Sequence, residues 1–178
     1  MNKLKLTLLQ QEILRFFFKN TGRSFNALQL AKALKVSAPA ITKALPFLGK
    51  NKLLKIQQDS SRRLKIELNR ENHVIIWLKR VDNLKHLYES GLVDLFYEKF
   101  PSATVILFGS FSLGEDTVDS DIDIAIIGAK AKKLDLEQLE TELLRPISLN
   151  FYKSLANVDP NLRINILSGI LLKGWIEL

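Results

Sequence analysis

Residues 104–127 read T-V-I-L-F-G-S-F-S-L-G-E-D-T-V-D-S-D-I-D-I-A-I-I, and the rest of the chain is organised around them. Thr104 to Phe108 is a short apolar, β-branched run, which predicts a buried strand. Gly109-Ser110 ends it. A glycine there lets backbone N–H groups approach a ligand, and a helix starting at Ser110 would turn its first free N–H groups toward an anion. Asp121 and Asp123 follow, two apart on a second predicted strand, so both carboxylates project from one face. Ile122, Ile124 and Ile126 point into a core. Aspartate is poor in strands, so the pair carries a cost that needs a reason. Two adjacent carboxylates repel, and a divalent cation relieves them. Carboxylate oxygens suit Mg²⁺, which is usually held by one or two carboxylates together with substrate phosphates. A phosphate cradle beside a cation site implies a nucleoside triphosphate.

Glycine-serine, a gap, and D-I-D between two buried strands resemble the nucleotidyltransferase superfamily of DNA polymerase β. The F-G-S-F-S-L-G-E-D loop and the S-D-I-D-I-A-I strand are similar to its minimal branch, over roughly residues 84–174. The resemblance implies Gly109 and Ser110 as the nucleotide-binding pair. It implies Asp121 and Asp123 as both the metal ligands and the catalytic carboxylates. Mg²⁺ or Mn²⁺ would be the cofactor and ATP or another nucleoside triphosphate the substrate. The implied reaction is transfer of AMP to a hydroxyl of a protein or nucleic-acid partner; some relatives are antitoxins that modify a toxin. Active members bring a third acidic residue from a neighbouring strand. The polar positions of the next predicted strand, from Pro146 to Phe151, are Ser148 and Asn150. Neither can act as a carboxylate base, and Glu115 and Asp119 lie in the intervening loop. An alternative is therefore a DNA-binding transcriptional regulator or antitoxin-like protein whose nucleotidyltransferase domain only binds nucleotide or is degenerate.

The net charge of +7 hides a division. Residues 1–80 hold 17 Lys and Arg against 4 Asp and Glu, and residues 81–178 hold 9 against 15. A basic half joined to an acidic half suggests a nucleic-acid module and a second, separate module. Helical periodicity covers residues 6–20, 27–34 (with Ser24 as the expected N-cap) and the stretch from the N-cap Ser37 to about Leu48. Pro46 is expected to kink or shorten that third helix. Alternating residues 53–57 and 64–68 predict a hairpin with a polar tip at 58–63.

Three helices and a basic hairpin resemble a winged helix-turn-helix domain. The core of the resemblance is L-A-K-A-L-K-V-S-A-P-A-I-T-K-A-L, residues 30–45. It implies DNA as a partner, contacted by Ser37, Thr42 and Lys43 from the third helix and by Arg62, Arg63 and Lys65 from the wing.

The fold class expected is α+β: a winged helix-turn-helix domain over 1–72, a connecting helix over 73–90, and a small mixed-sheet nucleotidyltransferase domain over 91–178. Asp135 is expected to cap a helix running to Arg145, Asp159-Pro160 to start another, and Ile170 to Leu172 and Trp175 to Leu178 to add an edge strand or cover the sheet. The connecting helix is where a homodimer would form. The chain has no cysteine. Nor does it show an apolar run of membrane length or a visible signal peptide. The expectation is a cytoplasmic protein without a membrane partner.

Overall fold

The computed structural model describes residues 4–58 and 63–176. The chain divides into two compact units, 1–76 and 77–178.

In the first unit, α1 (Leu8–Lys19), α2 (Ala27–Leu34) and α3 (Ala38–Lys50) precede the hairpin strands β1 (Leu54–Gln58) and β2 (Leu64–Leu68). Each helix starts where a side chain satisfies its orphan amides. Thr7 and Gln10 form a capping box on α1, Asn26 and Gln29 form another on α2, and Ser37 caps α3. Asn26, not Ser24, is thus the cap of α2. Phe25 pairs with Ile66 of β2 in an isolated bridge, so the chain stays extended until residue 26. Ile13, Phe17, Leu30, Ile41, Leu48 and Ile66 are fully buried and form the core. The α3 helix runs through Pro46 to Lys50 and is not shortened. Ile41, Ala44 and Leu45 on one side of the proline and Leu48 on the other are all buried. Tertiary packing therefore outweighs the cost of a helical proline, about 3 kcal/mol. Three helices followed by a two-stranded antiparallel hairpin is the element order expected of a winged helix.

Helix α4 (His73–Glu89) crosses the boundary between the units. The second unit continues with α5 (Leu92–Lys99), β3 (Thr104–Phe108), α6 (Gly109–Leu113), β4 (Ile122–Ile127), α7 (Glu137–Leu143), β5 (Ile147–Tyr152), α8 (Pro160–Leu167) and β6 (Ile170–Lys173). The strands form one mixed sheet in the order β5-β4-β3-β6. β4 pairs with β3 antiparallel and with β5 parallel, and β6 is an edge strand, antiparallel to β3. One face of the sheet carries Val105, Leu107, Ile122, Ile124, Ile126 and Ile147, packed with Leu87, Leu92 and Phe96. The other carries Ile106, Phe108 and Ala125, covered by Val158 and Ile166 of α8 and the turn before it.

Helix α7 is shorter than expected. It begins at Glu137 behind Leu136, with Asp135 Oδ1 accepting from the Glu137 amide at 3.3 Å. It stops at Leu144, whose φ is +56°, because Arg145 turns inward. Among the described residues, no helix is long and apolar enough to cross a membrane.

Lys173 closes the far end of the sheet. Its buried ammonium donates to the carbonyls of Phe100, Pro101 and Ala103 at 2.7, 2.7 and 3.2 Å. A cation there satisfies carbonyls left over where α5 ends.

Candidate active site

The site is built at the end of the sheet where β3 stops and β4 starts. Phe108 pairs with Asp123, so Gly109 lies against the carboxylate. Gly109 has φ +70°, and a Cβ there would collide with Asp123 Oδ2. The glycine of the motif is thus required twice, by its left-handed backbone and by the carboxylate it makes room for. The next residues form α6, a single turn closed by Gly114 at φ +79°. Ser112 Oγ donates to the Gly109 carbonyl at 2.7 Å, and the Glu115 amide donates to the Ser110 carbonyl at 2.9 Å. The first amides of the turn have no partner within it. Ser110 is half-buried beside them.

Asp121 is exposed and precedes β4, while Asp123 is half-buried within it. Burial raises the proton affinity of the Asp123 carboxyl above the ordinary carboxylate value, and the Asp121 charge raises it further. The pair is therefore an acidic site under mutual repulsion. The pair offers oxygen donors of the kind a hard cation takes; among the described residues, no group of three or more His, Cys, Asp or Glu could hold a metal ion.

A pH dependence follows. The folded pKa of Asp123 lies above its unfolded value, so its contribution to stability is complete below the ordinary aspartate range. That contribution is lost as pH rises through the raised folded value. Without metal, Asp123→Asn is expected to be more stable than wild type at neutral pH, and the gap should close on acidification. Thermal melts of both proteins in chelator across pH 3–8 check this; a gap that widens on acidification contradicts it.

The parallel register places Ser148 abreast of Asp123, and Asn150 abreast of Ala125, one step further from the loop. Asn150 Nδ2 lies 3.4 Å from both the carbonyl and the hydroxyl of Ser148. Ser148 thus stands beside Asp123 on the neighbouring strand, and it offers a hydroxyl. Asp119 is exposed in a turn closed by Thr117 and Ser120, and Glu115 is exposed next to the loop.

Sequence reading passed over Asp116. It is 1% exposed, as is Lys79 of α4. The Lys79 ammonium pairs with Asp116 Oδ1 and donates to the Asp116 carbonyl at 3.0 Å. Asn83 Nδ2 donates to Asp116 Oδ1 at 2.7 Å and to the Phe111 carbonyl at 3.0 Å. Arg145 Nη2 reaches Asp116 Oδ2 at 3.4 Å. The available signal was Lys79 and Asn83 four residues apart on an otherwise apolar helix face.

Residues 90–172 match the family described as the nucleotidyltransferase domain. The match contains the Gly109-Ser110 loop, both aspartates and all four strands of the sheet up to Leu172. No curated protein matches the chain. Among solved structures, the adhesin competence repressor AdcR of Streptococcus pyogenes is similar at 26% identity. It covers 56% of this chain and 71% of its own, with a TM-score of 0.42. A point mutant of ZitR of Lactococcus lactis is 22% identical over 56% of this chain and 66% of its own, at 0.41. MepR, a transcription regulator of the Staphylococcus aureus efflux pump MepA, is 21% identical over 55% and 73%, at 0.40.

In the winged helix, Ser37, Thr42, Lys43, Arg63 and Lys65 are all exposed. Ser37 Oγ accepts from the Ala40 amide at 3.4 Å, and Thr42 Oγ1 donates to the Ala38 carbonyl at 3.0 Å. Both hydroxyls thus serve the helix and retain limited capacity for bases. Lys65 Nζ lies 3.9 Å from Glu67. Arg62 lies outside the described residues.

Proposed function

We propose that the second unit transfers a nucleoside monophosphate, AMP from Mg²⁺-ATP, to a hydroxyl of a protein or nucleic-acid acceptor, and that the first unit binds DNA. The observation that carries this is the acidic pair set against Gly109. Asp123 is held against Gly109 where the turn begins, and its raised proton affinity reflects burial and the neighbouring Asp121 charge. Ser110 and the first amides of α6 would receive the β- and γ-phosphates, and Asp121 and Asp123 would hold Mg²⁺ or Mn²⁺. When bound, the cation neutralises charge on the transferring phosphoryl group and its leaving pyrophosphate. The chain's own part is alignment: it orients the triphosphate for in-line attack and fixes the acidic pair beside it. No side chain assigned to the site is a strong base, so deprotonation of the acceptor falls to Asp121, Asp123 or solvent.

The test is incorporation of α-labelled ATP into protein and RNA fractions of a lysate, with Asp121→Asn as control. Label retained by the control overturns the reading.

A second reading, a DNA-binding regulator that senses nucleotide without transferring it, is favoured by Ser148 standing abreast of Asp123. It predicts saturable Mg²⁺-ATP binding with no label transferred.

For the winged helix, affinity for duplex DNA should fall steeply with salt, because the unit is strongly basic. Arg63→Ala with Lys65→Ala should lower the slope of log K against log salt by about two units, one per lost phosphate contact. Titrations of the full chain at several salt concentrations read this directly. An unchanged slope would place the wing away from DNA.

A further inference from the structure

We propose that Asn83 of α4 is a positioning residue for the nucleotide, acting through the loop that follows Gly109. This rests on the nucleotidyltransferase reading and goes beyond it, because Asn83 lies outside the matched residues 90–172. One amide nitrogen ties two points of the loop. Asn83 Nδ2 donates to the carbonyl of Phe111, the residue after Ser110, at 3.0 Å, and to Asp116 Oδ1 at 2.7 Å. Between those points lie Ser112, Leu113, Gly114 and Glu115. The loop has positive φ at both Gly109 and Gly114, where the backbone is intrinsically permissive. A five-residue turn is too short to hold its shape by its own hydrogen bonds. Its shape is therefore imposed from outside.

Lys79 and Arg145 engage Asp116, by the ionic contacts described above, at the far end of the loop. Asn83 reaches in addition the turn that carries Ser110. Its loss should leave the ion pairs in place while leaving the Phe111 carbonyl with the Gly114 amide, at 3.3 Å, as its partner within the turn. The amides after Gly109 and the Ser110 hydroxyl would then sample several arrangements, and only a fraction would match a triphosphate.

The experiment uses the full chain with Mg²⁺-ATP as probe. Asn83→Ala should weaken Mg²⁺-ATP binding by about tenfold, the scale of one or two lost hydrogen bonds. Hydrogen exchange at the amides of 110–114 should accelerate, while exchange in β3 and β4 stays as in wild type. DNA affinity serves as the internal control for an intact chain and should not change. Asn83→Ser retains a donor and should recover part of the affinity; it replaces the alanine variant if that one fails to fold. A lower melting temperature with wild-type affinity per folded molecule would overturn the proposal and show a purely structural amide. If Asp121→Asn with Asp123→Asn abolishes binding and both Asn83 variants bind as wild type, positioning by Asn83 is overturned while the proposed function stands. Wild type that binds no Mg²⁺-ATP overturns both.

Discussion

Asp121→Asn combined with Asp123→Asn is expected to lower nucleotide transfer by about a thousandfold, because charge stabilisation by a bound cation is worth several kcal/mol and each 1.4 kcal/mol is about tenfold in rate. The metal-dependent part of nucleotide affinity should vanish in the same protein. The fold should not suffer. Asp121 is exposed, and Asp123 already resists ionisation through burial and the neighbouring charge. Removing both charges removes their repulsion, so the metal-free variant should melt no lower than wild type. Calorimetry with and without Mg²⁺, melting curves in chelator and the labelling assay together decide this. Unchanged metal-dependent affinity would move the nucleotide away from Gly109. Ser148→Asp is the companion variant. The register puts that side chain beside Asp123, so a third carboxylate should increase metal affinity, and transfer as well if the reaction lacks a base.

Asp116→Ala should have the largest effect on stability. The carboxylate is buried between Lys79 and Arg145, which are 1% and 5% exposed. Deleting it removes the anion from between two buried cations, a change that typically costs about 3–5 kcal/mol. For a unit of this size each kcal/mol lowers the melting temperature by about 4–8 °C, so the second unit should lose at least about 12 °C. Lys79→Met in the Asp116→Ala background should restore part of the loss, since it withdraws one of the two buried cations. A fall below about 3 °C for Asp116→Ala alone would mean that water reaches the cluster freely, and the burial argument would fail.

Much of the fold was legible because its signals are local. Apolar periodicity, the caps Ser37 and Asp159, the alternation in β2 and the apolar run from Val105 to Phe108 in β3 act within a few residues. The actual elements follow those patterns closely. The local signals failed where a distant partner intervened. Ser24 has the chemistry of a cap, but the pairing of Phe25 with Ile66 keeps the chain extended past it. Pro46 should disrupt a helix, but buried neighbours on both sides hold α3 together. Arg145 looked like the last residue of α7, until Asp116 drew it inside.

The same division holds at the candidate site. Sequence alone determined the ingredients and their order: a glycine-serine turn after one strand, an acidic pair on the next, a basic half and an acidic half. Those follow from residue chemistry and from the two-residue repeat of a strand. Tertiary structure decided what stands beside what. The parallel pairing of β4 with β5 made Ser148, rather than Asn150, the neighbour of Asp123. The folding of α4 against the loop brought Lys79 and Asn83 to Asp116, 37 and 33 residues away. No periodicity encodes such a contact. A buried charge is tolerated only with its partner in place, and the partner is chosen by packing in three dimensions.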